Sequence, residues 1–433
     1  MRRTTTRPAW LTAPVLTVSV LSVAAGIAQF SVTAVIGDVA AAFGEVGPGE
    51  SMAAQIGLPT TTVGIALSIV RLASLASLPI ASLADRFGRR SVLLALAATG
   101  LALTSMAALS PGFWWYVALV SLARPAMSTV NALSGVVAAE ESRSRDRSAA
   151  IALVTAAYGV GSGIVAVARG VLPGEPSFRV VTAFAVVPLL LLPVLARRIR
   201  EPKIVVERVH PGERRVRWRA LPGAVPLQHR RNVTVLATLT AAAAMTTGPG
   251  FTYLFLYGER LLGASPLMLS ALVVSAAPAG LAGILLGRLG ADRLGRRITS
   301  ATAMATTGVA VAFAYSGSAV ALAAGYLAAI ATSSAFAAPT GALAAELVPT
   351  RIRATVAGWM TIAGIFGSVT GLVVVGALSD VFGTFSTPTA VIGGTVVVAA
   401  TGFALLPETR GWELDTHTAA DGATQWPSDG GGA

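Results

Sequence analysis

The sequence has no cysteine, only three histidines and few charged residues, which make up 12% of its 433 positions. The absence of cysteine excludes disulfides, zinc–thiolate sites and a cysteine nucleophile. The charged fraction is about half that of an ordinary soluble domain, whereas 54% of the residues are apolar. Such a chain cannot cover itself with polar surface, so we expect lipid to be the solvent for most of it.

Apolar runs long enough to cross about 30 Å of hydrocarbon recur along the chain, separated by short polar breaks. Glycine and proline inside several runs are compatible with membrane helices, because neighbouring helices satisfy the backbone groups that they free. We predict an all-α membrane protein whose twelve spans are residues 11–36, 59–81, 91–110, 113–138, 149–170, 179–196, 232–257, 266–287, 298–317, 319–344, 355–378 and 388–406.

The longest polar segment divides these spans into two groups of six. It is basic and contains Trp218, which is typical of a linker that lies on the membrane surface; a regulatory docking site is the alternative. The predicted organisation is an N-terminal six-helix bundle at 1–196, a cytoplasmic linker at 197–231, a C-terminal bundle at 232–406 and a cytoplasmic, largely disordered tail at 407–433.

The 32 basic residues, all arginine except Lys203, are concentrated in alternate polar segments. With the N-terminus inside, nearly all of them fall in cytoplasmic segments, as the positive-inside rule requires of an even number of spans. We therefore expect a multi-pass protein of the bacterial cytoplasmic membrane with both termini inside. The charge orients the chain at an anionic leaflet, and no nucleic acid is needed to explain it. The basic residues that fall outside the cytoplasmic segments are Arg71, Arg124, Arg169, Arg179 and Arg260.

Three landmarks recur about 206 residues apart. The stretch 83-LADRFGRR-90 returns as 290-GADRLGRR-297, with six of eight positions identical. This repetition indicates two homologous six-helix halves, an organisation common among transporters, whose binding site lies between the halves near mid-membrane. The second landmark is a glutamate seven residues before an arginine, at Glu140 and Arg147 and again at Glu346 and Arg353. The third is a Gly-Ser pair, at Gly161-Ser162 and again at Gly367-Ser368.

These motifs resemble those of the major facilitator superfamily. The stretch 83-LADRFGRR-90 is similar to the signature of its loop between spans 2 and 3, and 346-ELVPTRIR-353 is similar to its loop between spans 10 and 11. The segment 407-PETRG-411 is similar to the one after span 12 in its sugar-transporter branch. The resemblance implies two pseudo-symmetric six-helix bundles, secondary transport by alternating access, and a central cavity lined by spans 1, 4, 7 and 10.

By the same resemblance, Asp85 and its basic neighbours form a cytoplasmic gate that holds one alternating-access state by contacting span 11. A carboxylate is favourable at the positive N-terminal end of a helix that begins near Ala354, and the arginines can pair with Glu140, Glu141 or Glu346. Basic turns that only set topology would explain the arginines but not the repeated aspartate. The predicted gate residues are Asp85, Arg86, Gly88, Arg89, Arg90, Glu140, Arg147, Asp292, Arg293, Gly295, Arg296, Arg297, Glu346 and Arg353.

Two arginines lie at mid-membrane depth, Arg71 in span 2 and Arg124 in span 4. Ionisable groups there are costly and indicate function. Ser128 and Asn131 follow Arg124 by four and seven residues and so share its helical face. The resemblance links a span 4 arginine to proton movement; alternatively, Arg124 only bonds backbone carbonyls and holds the bundle together. The predicted lining residues are Gln29, Arg124, Ser128, Asn131, Thr247 and Tyr253, with Arg71 nearby.

No acidic residue lies near the centre of any predicted span. Asp38, near the outer end of span 1, is the candidate for a titrating carboxylate, because its protonation would respond to burial and to nearby arginines. The alternative is an interfacial residue that pairs with Arg71. The first span resembles that of proton-coupled drug exporters, with Gln29 where some carry an acid, but span 5 lacks the Gly-Pro pair of the family's antiporters.

The sequence contains no nucleotide-binding G-x-x-x-x-G-K-[ST] loop, and its polar segments are too short for a catalytic domain. We expect neither an enzyme nor a bound metal or cofactor, but a monomeric, proton-coupled carrier of a small organic solute, with Asp38 and Arg124 as coupling candidates. Export of drugs or metabolites is the favoured hypothesis. Two buried arginines without a central acid favour uptake of an organic anion or sugar-like metabolite instead, and a transport-inactive sensor or scaffold is the third hypothesis.

Overall fold

The structure is a computed structural model that describes residues 12–47, 49, 51–143, 146–172, 178–198 and 226–410. The tail beyond 410 and most of the predicted linker lie outside these ranges. The described residues of the N-terminal half form helices α1 (Ala13–Phe43), α2 (Met52–Ile56), α3 (Thr60–Ala73), α4 (Ser77–Phe87), α5 (Arg89–Ala107), α6 (Phe113–Glu140), α7 (Arg147–Val171), α8 (Phe178–Ala183) and α9 (Val186–Ala196).

The second half repeats this pattern of long helices joined by short turns, and the described part of the chain contains no β-strand. Its helices are α10 (Leu227–Thr252), α11 (Leu254–Arg260), α12 (Pro266–Arg293), α13 (Arg296–Ala314), α14 (Ala319–Glu346), α15 (Thr350–Phe382) and α16 (Ser386–Ala400).

Each of the twelve predicted spans coincides with one helix or with two in series. Span 2 is α3 and α4 joined by the 3₁₀ turn Ser74–Ala76, span 6 is α8 and α9, and span 7 is α10 and α11. Span 7 is interrupted at Tyr253, four residues after a proline that removes a backbone donor from the helix. The predicted twelve-helix fold is confirmed.

Three of the spans are less apolar than the rest. Nine helical segments of the described chain are long and apolar enough to cross a membrane by themselves; α6, α10 and α13 are not among them. α6 carries Arg124 and Asn131, and α13 carries threonines whose hydroxyls bond carbonyls one turn earlier, as Thr302 does with Ile298 O at 3.0 Å. These polar groups lower the hydropathy without preventing helix formation in lipid, because the backbone of each helix satisfies its own hydrogen bonds.

We call the side of the protein that carries the loops after spans 1, 3, 5, 7, 9 and 11 the outer side, following the prediction from the arginines. The two halves meet there along two seams, where span 2 packs against span 11 and span 5 against span 8. In the first seam the Ser68 hydroxyl donates to Val369 O at 3.2 Å. In the second, the Ser270 hydroxyl donates to Ala166 O at 2.5 Å. The internal repeat relates the two seams by pseudo-twofold symmetry.

The inner side is different. Of the hydrogen bonds and ion pairs that join two described residues near that side, every one stays within one half, such as that of Arg90 with Ala196 O at 3.0 Å or of Arg410 with Arg293 O at 2.7 Å. Bonds between the halves begin at the depth of Arg71 and continue to the outer loops. Among the described residues the halves are therefore bonded to each other on the outer side and not on the inner side, an arrangement that we call inward-open.

The repeated loops have the same backbone in both halves. Gly88 precedes α5 with φ 87° and ψ 140°, and Gly295 precedes α13 with φ 99° and ψ 161°. This region of conformational space is accessible essentially to glycine alone. The glycine conserved between the two copies of the motif is therefore required by the turn itself.

Candidate functional site

Residues from both halves enclose a small cavity of about 30 Å³ at the inner end of the span 2–span 11 seam. A cavity of this size accommodates one or two water molecules. It is therefore smaller than the volume that a transported solute needs. Three of the predicted site residues, Gln29, Arg71 and Arg124, meet here. The residues that line the cavity are Gln29, Val32, Thr33, Leu67, Val70, Arg71, Arg124, Thr252 and Leu372.

Arg124 is held in α6, next to Pro125 in the middle of the span. Its Nε is buried and has no hydrogen-bond partner among the described residues. Among the described residues no hydrogen bond from Arg124 to a backbone carbonyl is found, which is the contact that the alternative role of holding the bundle together would use. Arg71, in contrast, is anchored: its Nε donates to Ser368 Oγ in span 11 at 3.1 Å.

The two arginines lie close enough to repel one another electrostatically. Among the described residues that line the cavity, none is acidic. Two neighbouring guanidinium groups in a low-dielectric site, without a carboxylate of the protein, make a strongly electropositive pocket.

Tyr158 is a member of the site that the sequence did not reveal. It lies in α7 within the electrostatic range of both Arg71 and Arg124, and its hydroxyl lies 3.5 Å from Gln29 Oε1 as a weak donor. The sequence does show that Tyr158 begins the glycine-rich stretch of span 5. Nothing in the sequence alone, however, showed that this residue faces span 1. Gln29 and Tyr158 add neutral hydrogen-bonding groups beside the two cations.

The other predicted lining residues do not line this cavity in the inward-open conformation. Ser22 Oγ donates to Asn131 Oδ1, so Asn131 joins spans 1 and 4 within the N-terminal half. Thr247 donates to Ala243 O in its own helix at 3.3 Å, and Ser128 is half-buried on α6. Tyr253 is fully buried, and its hydroxyl donates to Leu372 O at 3.0 Å. Their role as lining residues stays a prediction.

Asp38 does not pair with Arg71, so that alternative is wrong for this conformation. Its Oδ2 accepts from Arg169 Nη1 at 2.5 Å, and its Oδ1 accepts from Arg260 Nη2 at 2.9 Å. Arg169 also binds Glu259. The reason is position: Asp38 lies near the outer end of α1, where α7 and α11 end in arginines, whereas Arg71 is held deeper by span 11.

The inner-side residues form the same contacts in both halves. Arg89 pairs with Glu140, and at the equivalent place Arg296 pairs with Glu346 at 3.1 Å. In each half an arginine also donates to the backbone carbonyl eight residues earlier in the chain. Arg147 Nε donates to Ala139 O at 3.2 Å, and Arg353 Nε donates to Ala345 O at 3.0 Å.

Glu408 and Thr409, which follow span 12, also bond to this group on the inner side, and the sequence did not predict these contacts. Glu408 accepts from the backbone N–H groups of Arg296 and Arg297 at 2.8 and 3.1 Å, which caps the N-terminus of α13. The Thr409 hydroxyl donates to Glu346. All these bonds lie within one half, as expected if the inner side is open. The contact of Asp85 with span 11, which belongs to the opposite state, stays a prediction.

Comparisons with known proteins agree with this architecture. Among solved structures, the chain resembles a bacterial homologue of the human lysosomal transporter Spinster in an inward-facing, occupied conformation, with TM-score 0.69, 15% identity, and 92% and 97% of the two chains covered. It resembles the nucleoside transporter NupG with TM-score 0.70, 14% identity, and 90% and 99% covered. It also resembles the inward-open xylose transporter XylE from E. coli, with TM-score 0.67, 15% identity, and 94% and 98% covered.

At these identities the likeness establishes the fold and not the substrate. A search of curated proteins finds no match to the sequence. The family comparison, in contrast, covers nearly the whole chain, matching the Major Facilitator Superfamily over residues 18–290 and 262–428. With twelve helices in two halves and a polar cavity between them, the chain belongs to the Major Facilitator Superfamily and is a secondary transporter of small solutes.

Proposed function

We propose that this transporter carries a small organic anion, which binds between Arg71 and Arg124 with Gln29 and Tyr158 as hydrogen-bonding partners. The observation that supports the proposal most strongly is the buried Nε of Arg124, which lacks a partner in a cavity without acidic lining residues. A buried cation without a counter-charge is strongly unfavourable. A carboxylate or phosphate ligand, which guanidinium groups bind in bidentate fashion, would supply the missing charge.

The hypothesis of exporting drugs or metabolites receives less support from the geometry. That hypothesis used Asp38 as an acid available to the pathway, but the Asp38 carboxylate is occupied by two arginines at the outer end of the bundle. A cationic solute would meet two arginines of like charge in the cavity. The charges therefore favour an anion over a cation as the solute.

Uptake of an anion also requires a second ion. Moving one negative charge into a cell with a negative interior costs about 2.3 kcal/mol per 100 mV of membrane potential. Co-transport of protons would cancel this charge and supply the driving force, so proton coupling is part of the proposal. Asp38 and Arg124 remain the candidates for coupling, since each is charged and lies at a contact between helices that move against each other.

The test is transport by purified protein in liposomes under an imposed inward proton gradient. The probes are radiolabelled lactate and succinate as anions and choline as the cation, each also tested for its effect on thermal stability. We expect uptake of an anion, and loss of most of that uptake in Arg124→Gln and Arg71→Gln. The matched control is Arg179→Gln, because Arg179 bonds Ala108 O and Ser110 O far from the cavity.

Lysine substitutions separate charge from geometry. Arg124→Lys keeps the charge but not the planar fork, so it should bind the anion more weakly and raise KM more than it lowers the maximal rate. Uptake of choline but not of the anions would contradict the proposal. Stabilisation by an anion without any gradient-driven flux would support the sensor hypothesis instead.

A further inference from the structure

A second group of charges lies at the outer end of the interface between the halves. We propose that Asp38, Arg169, Glu259 and Arg260, named here the outer lock, form the gate that closes the outer side and must separate before the carrier opens outward. The inference goes beyond the proposed function, because it concerns the conformational cycle and holds for any solute.

The bonds of the outer lock cross from one half to the other. Arg169 in span 5 holds Glu259 of span 7 with two parallel bonds, one of them from Nε to Oε1 at 2.9 Å. Arg260 of span 7 reaches Asp38 of span 1 at 2.9 Å. A fourth bond, from Arg169 to Asp38 within the N-terminal half, joins the two pairs into one group. The four side chains are between 3% and 21% exposed, so water screens these ion pairs less than those of an open surface.

Neighbouring contacts fix the geometry of the lock. The Arg169 guanidinium lies 5.5 Å from the centre of the Phe255 ring in the opposite half, within the range of a cation–π interaction. On the other seam, the Asp380 carboxylate of span 11 accepts from the backbone N–H groups of Thr60 and Thr61 at 2.8 and 2.7 Å, at the N-terminus of α3. Both outer seams therefore end in charged contacts between the halves.

The charges of the lock are distributed so that opening leaves neither half with a net charge. The N-terminal half contributes Asp38 and Arg169, and the C-terminal half contributes Glu259 and Arg260. Asp38 and Arg169 are already bonded to one another, so this pair remains when the halves separate. Breaking a buried ion pair is very unfavourable when it leaves one charge alone. This distribution avoids that cost and suits a contact that forms and breaks in every cycle.

The lock is separate from the proposed substrate site. None of its four residues is among the described residues that line the cavity with Arg71 and Arg124. A change in the lock should therefore shift the balance between inward-open and outward-open states without removing a ligand contact.

Because the sequence has no cysteine, one introduced cysteine can report the balance between inward-open and outward-open states. Ser270 is 2% exposed and lies in the outer seam, where it bonds Ala166 O of the other half. In Ser270→Cys, a water-soluble maleimide should react only when the outer side opens. The reaction is measured on protein in nanodiscs without substrate, so its result does not depend on the identity of the transported solute. Val46→Cys, in the loop between α1 and α2 and 53% exposed, reports on labelling that needs no opening.

In the Ser270→Cys background, Glu259→Gln should increase the labelling rate about tenfold, because it removes the negative charge of a mostly buried ion pair and leaves one acceptor oxygen in place of two. Arg260→Gln should increase it by a smaller factor, since Arg260 is 21% exposed and makes one of these bonds. Arg260→Lys keeps the charge and should label nearly as slowly as the parent. Arg179→Gln removes an outer arginine whose described bonds, to Ala108 O and Ser110 O, stay within one half, and it should not change the rate.

Unchanged labelling in both Glu259→Gln and Arg260→Gln would overturn the proposal, and so would an equal increase in Arg179→Gln. Should Glu259→Gln fail to fold, as judged by size-exclusion profile and by labelling of Val46→Cys, the comparison of Arg260→Gln with Arg260→Lys and Arg179→Gln decides alone.

Discussion

At the scale of single residues, Arg124 shows what the sequence can and cannot predict. A lone arginine in an apolar run already indicates a functional site, because its burial in lipid is costly. Whether such an arginine serves structure or ligand depends on its partners, which lie in other helices and are set by packing. Arg71 and Arg124 looked alike in the sequence, yet Ser368 anchors one, and the Nε of the other has no described partner.

This difference predicts opposite effects on stability. Arg124→Met replaces an uncompensated buried charge with an apolar side chain of similar length, so the thermal midpoint without ligand should rise, by the equivalent of about 1 kcal/mol or more. Arg179→Met removes a guanidinium that bonds two carbonyls and should lower the midpoint. Thermal unfolding of the purified variants measures both, and a lower midpoint for Arg124→Met would mean that its guanidinium holds the bundle together.

The glycines of the repeated loops lead to a second prediction at this scale. Gly88→Ala and Gly295→Ala force a side chain into a backbone region that costs about 1 to 3 kcal/mol for residues other than glycine, so both should lower the thermal midpoint. At Gly295 the added carbon would also lie 2.5 Å from a Glu408 oxygen. Gly394→Ala is the control, because it lies inside α16 with open space around it and should be neutral or stabilising. Equal midpoints for all three would refute this account of the turns.

At the scale of helices, hydropathy located all twelve spans but not all of their ends. Span 11 was predicted at 355–378, whereas α15 runs over Thr350–Phe382. The hydrocarbon core sets the apolar run, but a helix continues into the polar region until a turn ends it, as Gly383 does in the left-handed conformation. The short helix α2 was missed, although its caps, Ser51 and Gly57, are visible in the sequence, because hydropathy does not report helices outside the membrane.

The seam between spans 2 and 11 depends on a small residue. A side chain at Gly64 would place its Cβ 2.6 Å from Leu372 O and 2.8 Å from the Tyr253 hydroxyl, so Gly64→Ala should prevent close approach on the outer side. We expect faster maleimide labelling of Ser270→Cys, which reports on the opposite seam. Gly163→Ala, with no neighbour within 4 Å, is the matched control. Slow labelling in both variants would show that the seam adjusts to a methyl group without opening.

At the scale of the whole molecule, the internal repeat predicts topology. Phe87 and Leu294 occupy equivalent positions in the two copies of the loop and are 67% and 61% exposed. Cysteines at these positions should react with an impermeant maleimide from the same side of the membrane, the cytoplasmic side, whereas Val46→Cys, in the loop after span 1, should react from the other side. Labelling of inside-out and right-side-out vesicles measures this. Reaction of residues 87 and 294 from opposite sides would refute the pseudo-twofold arrangement.

The repeat also explains why the inner side was predicted better than the outer side. The inner ion pairs use residues that recur in both halves, so a single sequence displays each contact twice. The partners of the outer lock come from three segments, in spans 1, 5 and 7, and only their proximity in the fold shows that they belong together. Asp38 was singled out for its position in span 1, but nothing in the sequence connected it with Arg169 or Arg260.

The two acids of the outer lock lie at corresponding places in the two halves. Predicted spans 1 and 7 begin at residues 11 and 232, so Asp38 corresponds to Glu259. Arg260 then corresponds to Val39, and Arg169, in span 5 with its offset of 206 residues, corresponds to Val375. The internal repeat therefore accounts for the two carboxylates of the lock, whereas each of its arginines is present in one half alone.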